Sequence, residues 1–207
     1  MGSQPPFKVE LSHGFCTDYD VSEIDFMRSS LHSMGLIGYD PAAEDTYGSV
    51  SRRVPHYKGF SCIATATKTG GMERLSLLDY VVVLDCDPAR KIITAEGCAY
   101  PSRATPALWA THMGSGAEFA AHYHNRGVWD KSRELGLPTT MMGAGPGSYR
   151  LFQQIGNLFE DGHVMKTRAF AIGAEKDGLI VFGSSPEEVL DRIKRYADEA
   201  ERLAQHI

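Results

Sequence analysis

The sequence predicts a single mixed α/β layer domain with a run of antiparallel strands at its centre. Its 207 residues, of which 43% are apolar and 23% charged, are enough to build one hydrophobic core without disulfides or a structural metal. Segments with helical and strand periodicity alternate along the chain. The glycine-rich signatures of Rossmann and P-loop nucleotide-binding folds are absent. These observations favour one layered domain spanning residues 1–207.

Charge and hydropathy exclude two classes of partner. The net charge is −5, and the basic residues form no stripe of the kind that binds nucleic acid. The longest apolar run, 77–84, is interrupted by Asp79 and is far shorter than the ~20 residues of a membrane-spanning helix. The N-terminus carries no signal-peptide pattern, and the four cysteines show no metal-binding spacing. We therefore expect a cytoplasmic protein with reduced cysteines that binds neither nucleic acid nor membrane.

The first predicted helix covers 22–35, after an extended N-terminal arm over 1–20. Ser22 is placed to cap this helix and Gly35 to end it. A turn rich in glycine, proline and aspartate follows. The apolar residues at helical spacing are Ile24, Met27, Leu31 and Met34.

Alternating and fully apolar runs in the middle of the chain predict strands of an antiparallel sheet. A helix over 106–119 and a short strand over 120–124 are predicted next. Later segments predict a helix over 149–159, two adjacent strands within 163–172 and 179–182, and an amphipathic closing helix capped by Ser185. The central strands are predicted over 60–67, 80–85 and 91–94.

His122 and His124 form the pattern that points most directly to chemistry. Residues at i and i+2 of a strand project from the same face, so both imidazoles can reach one metal ion. A third ligand is needed. The loop 173–178 offers carboxylates, although its Asp-Gly pair is also typical of an ordinary hairpin turn. The candidates are His112, His163, Glu175 and Asp177.

Five segments, spread over most of the chain, match the motifs of one known family. They are Tyr-Gly-Ser-Val-Ser-Arg at 47–52, Thr-Ala-Thr-Lys-Thr-Gly at 65–70, Tyr-Pro-Ser-Arg-Ala-Thr at 100–105, Ala-His-Tyr-His at 121–124, and the apolar run 178–183 before Ser-Pro-Glu-Glu. Together they resemble the class II aldolase/adducin-like family. The resemblance implies α/β/α layers around a mainly antiparallel sheet of nine strands. It also implies a homo-oligomer, usually a tetramer.

The resemblance further implies an anion-binding pocket. In that family three loops hold the phosphate or other anion of the substrate through backbone N–H groups and hydroxyls, and glycine allows the close approach. Three histidines hold Zn²⁺, and a glutamate transfers the proton. The pocket residues implied for this chain are Gly48, Ser49, Thr69, Gly70, Ser102 and Arg103.

Two departures from the family pattern bear on function. Ala104 stands where the catalytic glutamate is usual, and Arg103 replaces a serine. The third zinc histidine is also absent, and alignment on Gly178 puts either Glu175 or Asp177 in its place. The implied metal ligands are His122, His124 and Glu175, with Asp177 as the second choice.

The sequence thus predicts a metal-dependent lyase that cleaves or decarboxylates a small hydroxy or keto acid. Zn²⁺ is the expected metal, with Fe²⁺ or Mn²⁺ as alternatives. Arg103 is expected to bind a substrate carboxylate as a bidentate fork, and His112 is the candidate for proton transfer. Two other functions remain open. The two-histidine, one-carboxylate set also suits a non-haem Fe(II) oxygenase, and the missing glutamate suits a non-catalytic, adducin-head-like binding domain.

Overall fold

A sheet of eight strands forms the centre of the protein, and a separate two-stranded hairpin lies beside it. The computed structural model describes residues 6–14, 19–56 and 59–205. In chain order the strands are β1 (Lys8–Ser12), β2 (Gly38–Asp40), β3 (Asp45–Tyr47), β4 (Ser49–His56), β5 (Gly59–Thr65), β6 (Tyr80–Asp87), β7 (Ile92–Gly97), β8 (Phe119–His124), β9 (Ala169–Ala171) and β10 (Gly178–Gly183).

The strand order in the large sheet is β1-β7-β6-β5-β4-β8-β10-β9. Neighbouring strands are antiparallel, except that β1 runs parallel to β7. Strands β2 and β3 pair with each other outside this sheet. The mainly antiparallel sheet is therefore confirmed, with eight strands in the central sheet of the described residues where the resemblance implied nine.

Helices cover both faces of the sheet and give it two apolar cores. They are α1 (Ser22–Ser33), α2 (Thr105–Ser115), α3 (Arg126–Asp130), α4 (Tyr149–Glu160), α5 (His163–Thr167) and α6 (Pro186–Gln205). One core lies under α1, α3 and α6, and the other lies under α2, α4 and α5. This is the expected α/β/α arrangement. Within the described residues, no helix has the length and apolar character needed to cross a membrane.

The predicted helices and most predicted strands are present, with two corrections. Ser22 does not cap α1, since the N-cap position is Val21, and Ser22 N–H itself donates to Asp20 Oδ1 at 2.9 Å. The run 163–172 is not one strand, because α5 occupies its first half between Gly162 and Arg168, both at positive φ. By contrast Ser185 caps α6 as predicted, its hydroxyl accepting from Glu188 N–H at 3.2 Å.

Strand β4 was not predicted, because only one of its buried faces, with Val50 and Val54, is apolar and the other is polar. Ser49 and Ser51 are buried, and each has a side-chain partner. Part of the predicted extended N-terminal arm is a strand, because β1 pairs along β7 from Lys8 to Ser12. Residues 1–5 and 15–18 of that predicted arm lie outside the described residues.

The described cysteines are free thiols, as predicted. Cys62 and Cys86 are buried, and burial raises the pKa of both thiols. They therefore act as small apolar side chains of the core. Cys98 is exposed, and Cys16 lies outside the described residues.

Candidate metal centre and adjoining cleft

Strand β8 carries His122 and His124 between the two strands that complete the site. His122 lies opposite Ser49 of β4 on one side and Ile180 of β10 on the other. The two imidazole rings are 5.3 Å apart between centroids and nearly perpendicular. His122 is buried, whereas 23% of the His124 side chain is exposed. The strand spacing thus presents two imidazoles on one face, as the sequence predicted.

Glu175 reaches these histidines from the loop between β9 and β10. The loop turns tightly, with Glu175 N–H donating to Ile172 C=O and Gly178 N–H donating to Glu175 C=O. Glu175 Oε2 lies 2.9 Å from His122 Nε2, and Glu175 Oε1 lies 3.2 Å from His124 Nε2. Burial alone would raise the pKa of the Glu175 carboxyl, but its two imidazole partners hold that pKa well below its usual value. Glu175 is therefore a carboxylate at neutral pH.

The three side chains fit a divalent metal ion. One donor atom from each of His122, His124 and Glu175 lies within 4.8 Å of the other two. Two imidazole nitrogens and one carboxylate oxygen suit Zn²⁺, Mn²⁺ or Fe²⁺. Two of the three donor residues, His122 and Glu175, line a cleft, so this side of the group is open to a small ligand.

Asp177, the second choice for the third ligand, is not part of this group. Its backbone is in the left-handed region, with φ of 69°, and its carbonyl accepts from Asn125 N–H at 2.9 Å. Its Oδ1 lies 3.7 Å from Arg126 Nε. Of the two carboxylates in this loop, the structure therefore brings Glu175 to the histidines.

Tyr47 fixes the more exposed histidine from the outside. Its ring stacks on the His124 imidazole, with centroids 4.9 Å apart and planes inclined by 27°. The Tyr47 hydroxyl donates to Gly35 C=O at 3.1 Å, which holds the phenol in place. The stacking restricts rotation of His124 and so pre-organises the donor group.

The three predicted anion-binding loops meet at one cleft beside the donor group. Its wall includes His122 and Glu175. Ser49 does not line the cleft, because it is buried and its hydroxyl lies 2.9 Å from both Ser102 Oγ and Thr65 Oγ1. Ser49 therefore ties the loops together from beneath. The predicted pocket residues in the wall are Gly48, Thr69, Gly70, Ser102 and Arg103.

Several solved structures share this fold at low sequence identity. YgbL from Escherichia coli aligns over 86% of this chain and 85% of its own, with a TM-score of 0.62 and 18% identity. The L-fuculose-1-phosphate aldolase from Thermus thermophilus aligns over 89% and 92%, with a TM-score of 0.63 and 17% identity. The N-terminal class II aldolase domain of a Thermoplasma acidophilum protein aligns over 92% and 96%, with a TM-score of 0.59 and 15% identity.

The chain has a class II aldolase fold. This agreement in fold extends over most of both chains in each comparison. No protein-family model and no curated protein sequence matches the chain. A class II aldolase fold does not by itself determine the reaction, which depends on the side chains at the site.

Three residues in the wall determine which charged groups the cleft of this class II aldolase fold presents. Arg103 is largely exposed, and its Nη2 lies 3.4 Å from Asp45 Oδ2. Lys68 is also exposed in the wall, and its φ of 63° places a residue other than glycine in the left-handed region. Ala104 lies in the wall next to Arg103, so the position at which the resemblance implies a glutamate lines the cleft without a titratable group.

His112, the candidate for proton transfer, is not in the cleft wall. It is buried, its Nδ1 lies 2.9 Å from Ala117 C=O, and its Nε2 lies 2.8 Å from Ser51 Oγ. Since a carbonyl only accepts, Nδ1 carries the proton and Nε2 accepts from the serine. Burial lowers the pKa of His112 to about 4. This neutral histidine connects α2 to β4.

The cleft contains side chains that were not singled out in the sequence. Asp45, Tyr47 and Lys68 come from β3 and the loop after β5, and Pro146 comes from the glycine-rich loop 143–147. Lys68 lies within the matched segment 65–70, so its position beside Thr69 in the sequence could have indicated that it lines the cleft. Asp45 and Tyr47 lie just before Gly48, in a hairpin whose pairing the sequence pattern did not indicate.

Proposed function

We propose that the protein is a metal-dependent lyase that cleaves or decarboxylates a small hydroxy or keto acid. The observation that carries this proposal is the grouping of His122, His124 and Glu175 beside a cleft that His122 and Glu175 share with the predicted anion-binding loops. The structural neighbours, which include aldolases, support the proposal at the level of fold.

The three donor side chains would hold the metal. A bound divalent ion supplies a Lewis acid, which polarises a substrate carbonyl and stabilises the charge that develops on its oxygen. His122 and His124 bind through neutral nitrogens, and Glu175 adds one negative charge that offsets part of the charge of the ion. The stacked ring of Tyr47 keeps His124 in its binding orientation.

The loops would bind the acidic end of the substrate. Gly48 and Gly70 would offer backbone N–H groups at the wall of the cleft, and Ser102 lies beside them with its hydroxyl donating to Ser49 Oγ. Arg103 adds a guanidinium, whose planar fork matches a carboxylate better than a hydroxyl does. A substrate with a carboxylate at one end and a carbonyl or hydroxyl near the other fits both halves of the site.

The lack of a titratable side chain at Ala104 favours decarboxylation over aldol cleavage. Retro-aldol cleavage needs a base, because a hydroxyl proton must leave as the carbon–carbon bond breaks. Decarboxylation of a 3-keto acid needs no base, since the carboxylate itself leaves as CO₂, and water can protonate the remaining carbon. Decarboxylation therefore needs no group at position 104, whereas aldol cleavage would need a base from elsewhere in the wall, such as Asp45 or Lys68.

An activity screen tests this proposal. The protein would be loaded separately with Zn²⁺, Mn²⁺ and Fe²⁺, and offered small 3-keto and hydroxy acids, with release of CO₂ and of carbonyl products as the readouts. We expect metal-dependent cleavage that is lost in His122→Ala and kept in Asp177→Asn. Iron-dependent oxygen consumption without such cleavage would instead establish the oxygenase alternative. If neither reaction occurs with any of the metals, the result would favour a non-catalytic binding domain.

A further inference from the structure

Helix α1 carries a buried arginine on its apolar face. Arg28 is 1% exposed, although arginine is almost never buried unless its charge is paired or fully bonded. It lies four residues after Ile24 and three before Leu31, both of which are fully buried. Helical spacing therefore turns Arg28 toward the interior of the protein rather than toward water.

The hydrogen-bond partners of Arg28 all belong to the anion-binding loop that follows β5. Its Nη2 donates to the carbonyls of Thr69 at 2.9 Å and Gly70 at 3.3 Å, and also to that of Met72. Its Nη1 donates to the carbonyl of Glu73 at 3.0 Å. One guanidinium thus holds the loop backbone from Thr69 to Glu73 on the side that faces α1.

These bonds set the direction of the amide groups in the loop. In a trans peptide unit the C=O and the following N–H point in opposite directions. Because the Thr69 carbonyl points to Arg28, the N–H of Gly70 points away from α1. In the part of the chain that the structure describes, the N–H groups of Lys68 and Gly70 donate to no acceptor, and both residues line the cleft.

The rest of the loop is packed closely enough for small shifts to matter. A Cβ at Gly70 would lie 2.7 Å from the carbonyl oxygens of Gly38 and Tyr47, so the loop backbone lies directly on the β2–β3 hairpin. The Thr69 hydroxyl closes the turn by donating to Ala66 C=O at 2.8 Å. A change at Arg28 would therefore alter the position of the loop amides relative to the donor group.

We propose that Arg28 is a positioning residue that fixes the Thr67–Glu73 loop in its anion-binding conformation. The inference rests on the proposed function in one respect, because it takes this cleft to be the site that binds the acidic end of the substrate. Arg28 does not touch the ligand. It acts through the carbonyls that it binds, because the Thr69 carbonyl, held toward Arg28, leaves the amide of Gly70 facing away from α1 and free for an anion.

The test compares Arg28→Lys with Leu31→Ala. Lysine keeps the positive charge but loses the planar fork that binds several carbonyls at once, whereas Leu31→Ala removes apolar packing from the same helix and no bond to the loop. Inorganic phosphate is the probe, titrated into each purified protein by calorimetry. Metal content and melting temperature are measured on the same samples, with hydrogen exchange of the amides in 67–74.

We expect Arg28→Lys to bind phosphate at least about tenfold more weakly and to exchange these amides faster, while its metal content stays at the wild-type level. Leu31→Ala should lower the melting temperature without either change. Unchanged phosphate affinity in Arg28→Lys, an equal loss in Leu31→Ala, or no phosphate binding by the wild type would each overturn the inference. A wild type without metal would instead overturn the proposed function, and the phosphate comparison would still decide the role of Arg28.

Discussion

The side chain of Glu175 folds back over Gly178. A Cβ placed on Gly178 would lie 2.8 Å from both Cγ and Oε2 of Glu175, closer than real Cβ contacts come. The same Oε2 lies 2.9 Å from His122 Nε2. Because glycine has no side chain, position 178 leaves the space through which the Glu175 carboxylate reaches the histidines. Gly178 itself contributes no donor atom to the group.

We expect Gly178→Ala to weaken metal binding by about 10- to 100-fold, because the new methyl group would push the Glu175 carboxylate away from the histidines. Metal affinity is measured by competition with a chelator. Gly156→Ala serves as the control, since nothing lies within 4 Å of a Cβ at that position. Wild-type affinity in Gly178→Ala would show that Glu175 reaches the site without this space.

Arg103 should determine the affinity for carboxylates. Its ion pair with Asp45, at 3.4 Å, is exposed, so its guanidinium is available to a ligand in the cleft. We expect Arg103→Met to weaken binding of malonate by about tenfold, the loss of one charge-assisted hydrogen bond. Calorimetric titration measures this, with the exposed Arg133→Met as control. Equal malonate affinity in the wild type and Arg103→Met would remove this role.

His112 should make stability fall in mildly acidic solution. Burial lowers its pKa from 6.5 to about 4, so between these values the unfolded chain binds a proton that the folded protein does not. The stability contributed by neutral His112 is complete above pH 6.5 and is lost as the pH falls toward about 4. The expected loss over this range is about 3 kcal/mol.

Urea unfolding at a series of pH values tests the role of His112. His112→Gln should lower stability at neutral pH and flatten its dependence on pH, because the titrating group is gone. The exposed His163→Gln is the matched control and should keep the wild-type dependence. The same pH dependence in His112→Gln as in the wild type would assign the acid sensitivity to another group.

The parts of the site that follow from local periodicity could be predicted from the sequence. His122 and His124 share a face because strand side chains alternate, and no tertiary information is needed for that. Local periodicity does not distinguish Glu175 from Asp177 as the third ligand, since both lie in one short loop. The choice depends on a turn in which Asp177 takes a left-handed backbone and Glu175 folds inward.

Other features depend on contacts between distant segments. Strand β4 has a polar buried face, because Ser49 and Ser51 find partners on Thr65 and His112 far along the chain. The sequence places Arg28 on the apolar face of α1, which indicates that it is buried. Its hydrogen-bond partners cannot be predicted locally, because they lie in a loop some 41 residues away. Burial of a polar side chain can be predicted only when its partner is known.

The metal content of the purified protein tests the central claim most directly. Elemental mass spectrometry would be applied to the wild type, His122→Ala, Glu175→Gln and Asp177→Asn, each prepared without chelators or a nickel affinity step. The account predicts near-stoichiometric divalent metal in the wild type and in Asp177→Asn, and its loss from His122→Ala and Glu175→Gln. Full metal content in Glu175→Gln, or none in the wild type even after incubation with excess divalent ions, would contradict it.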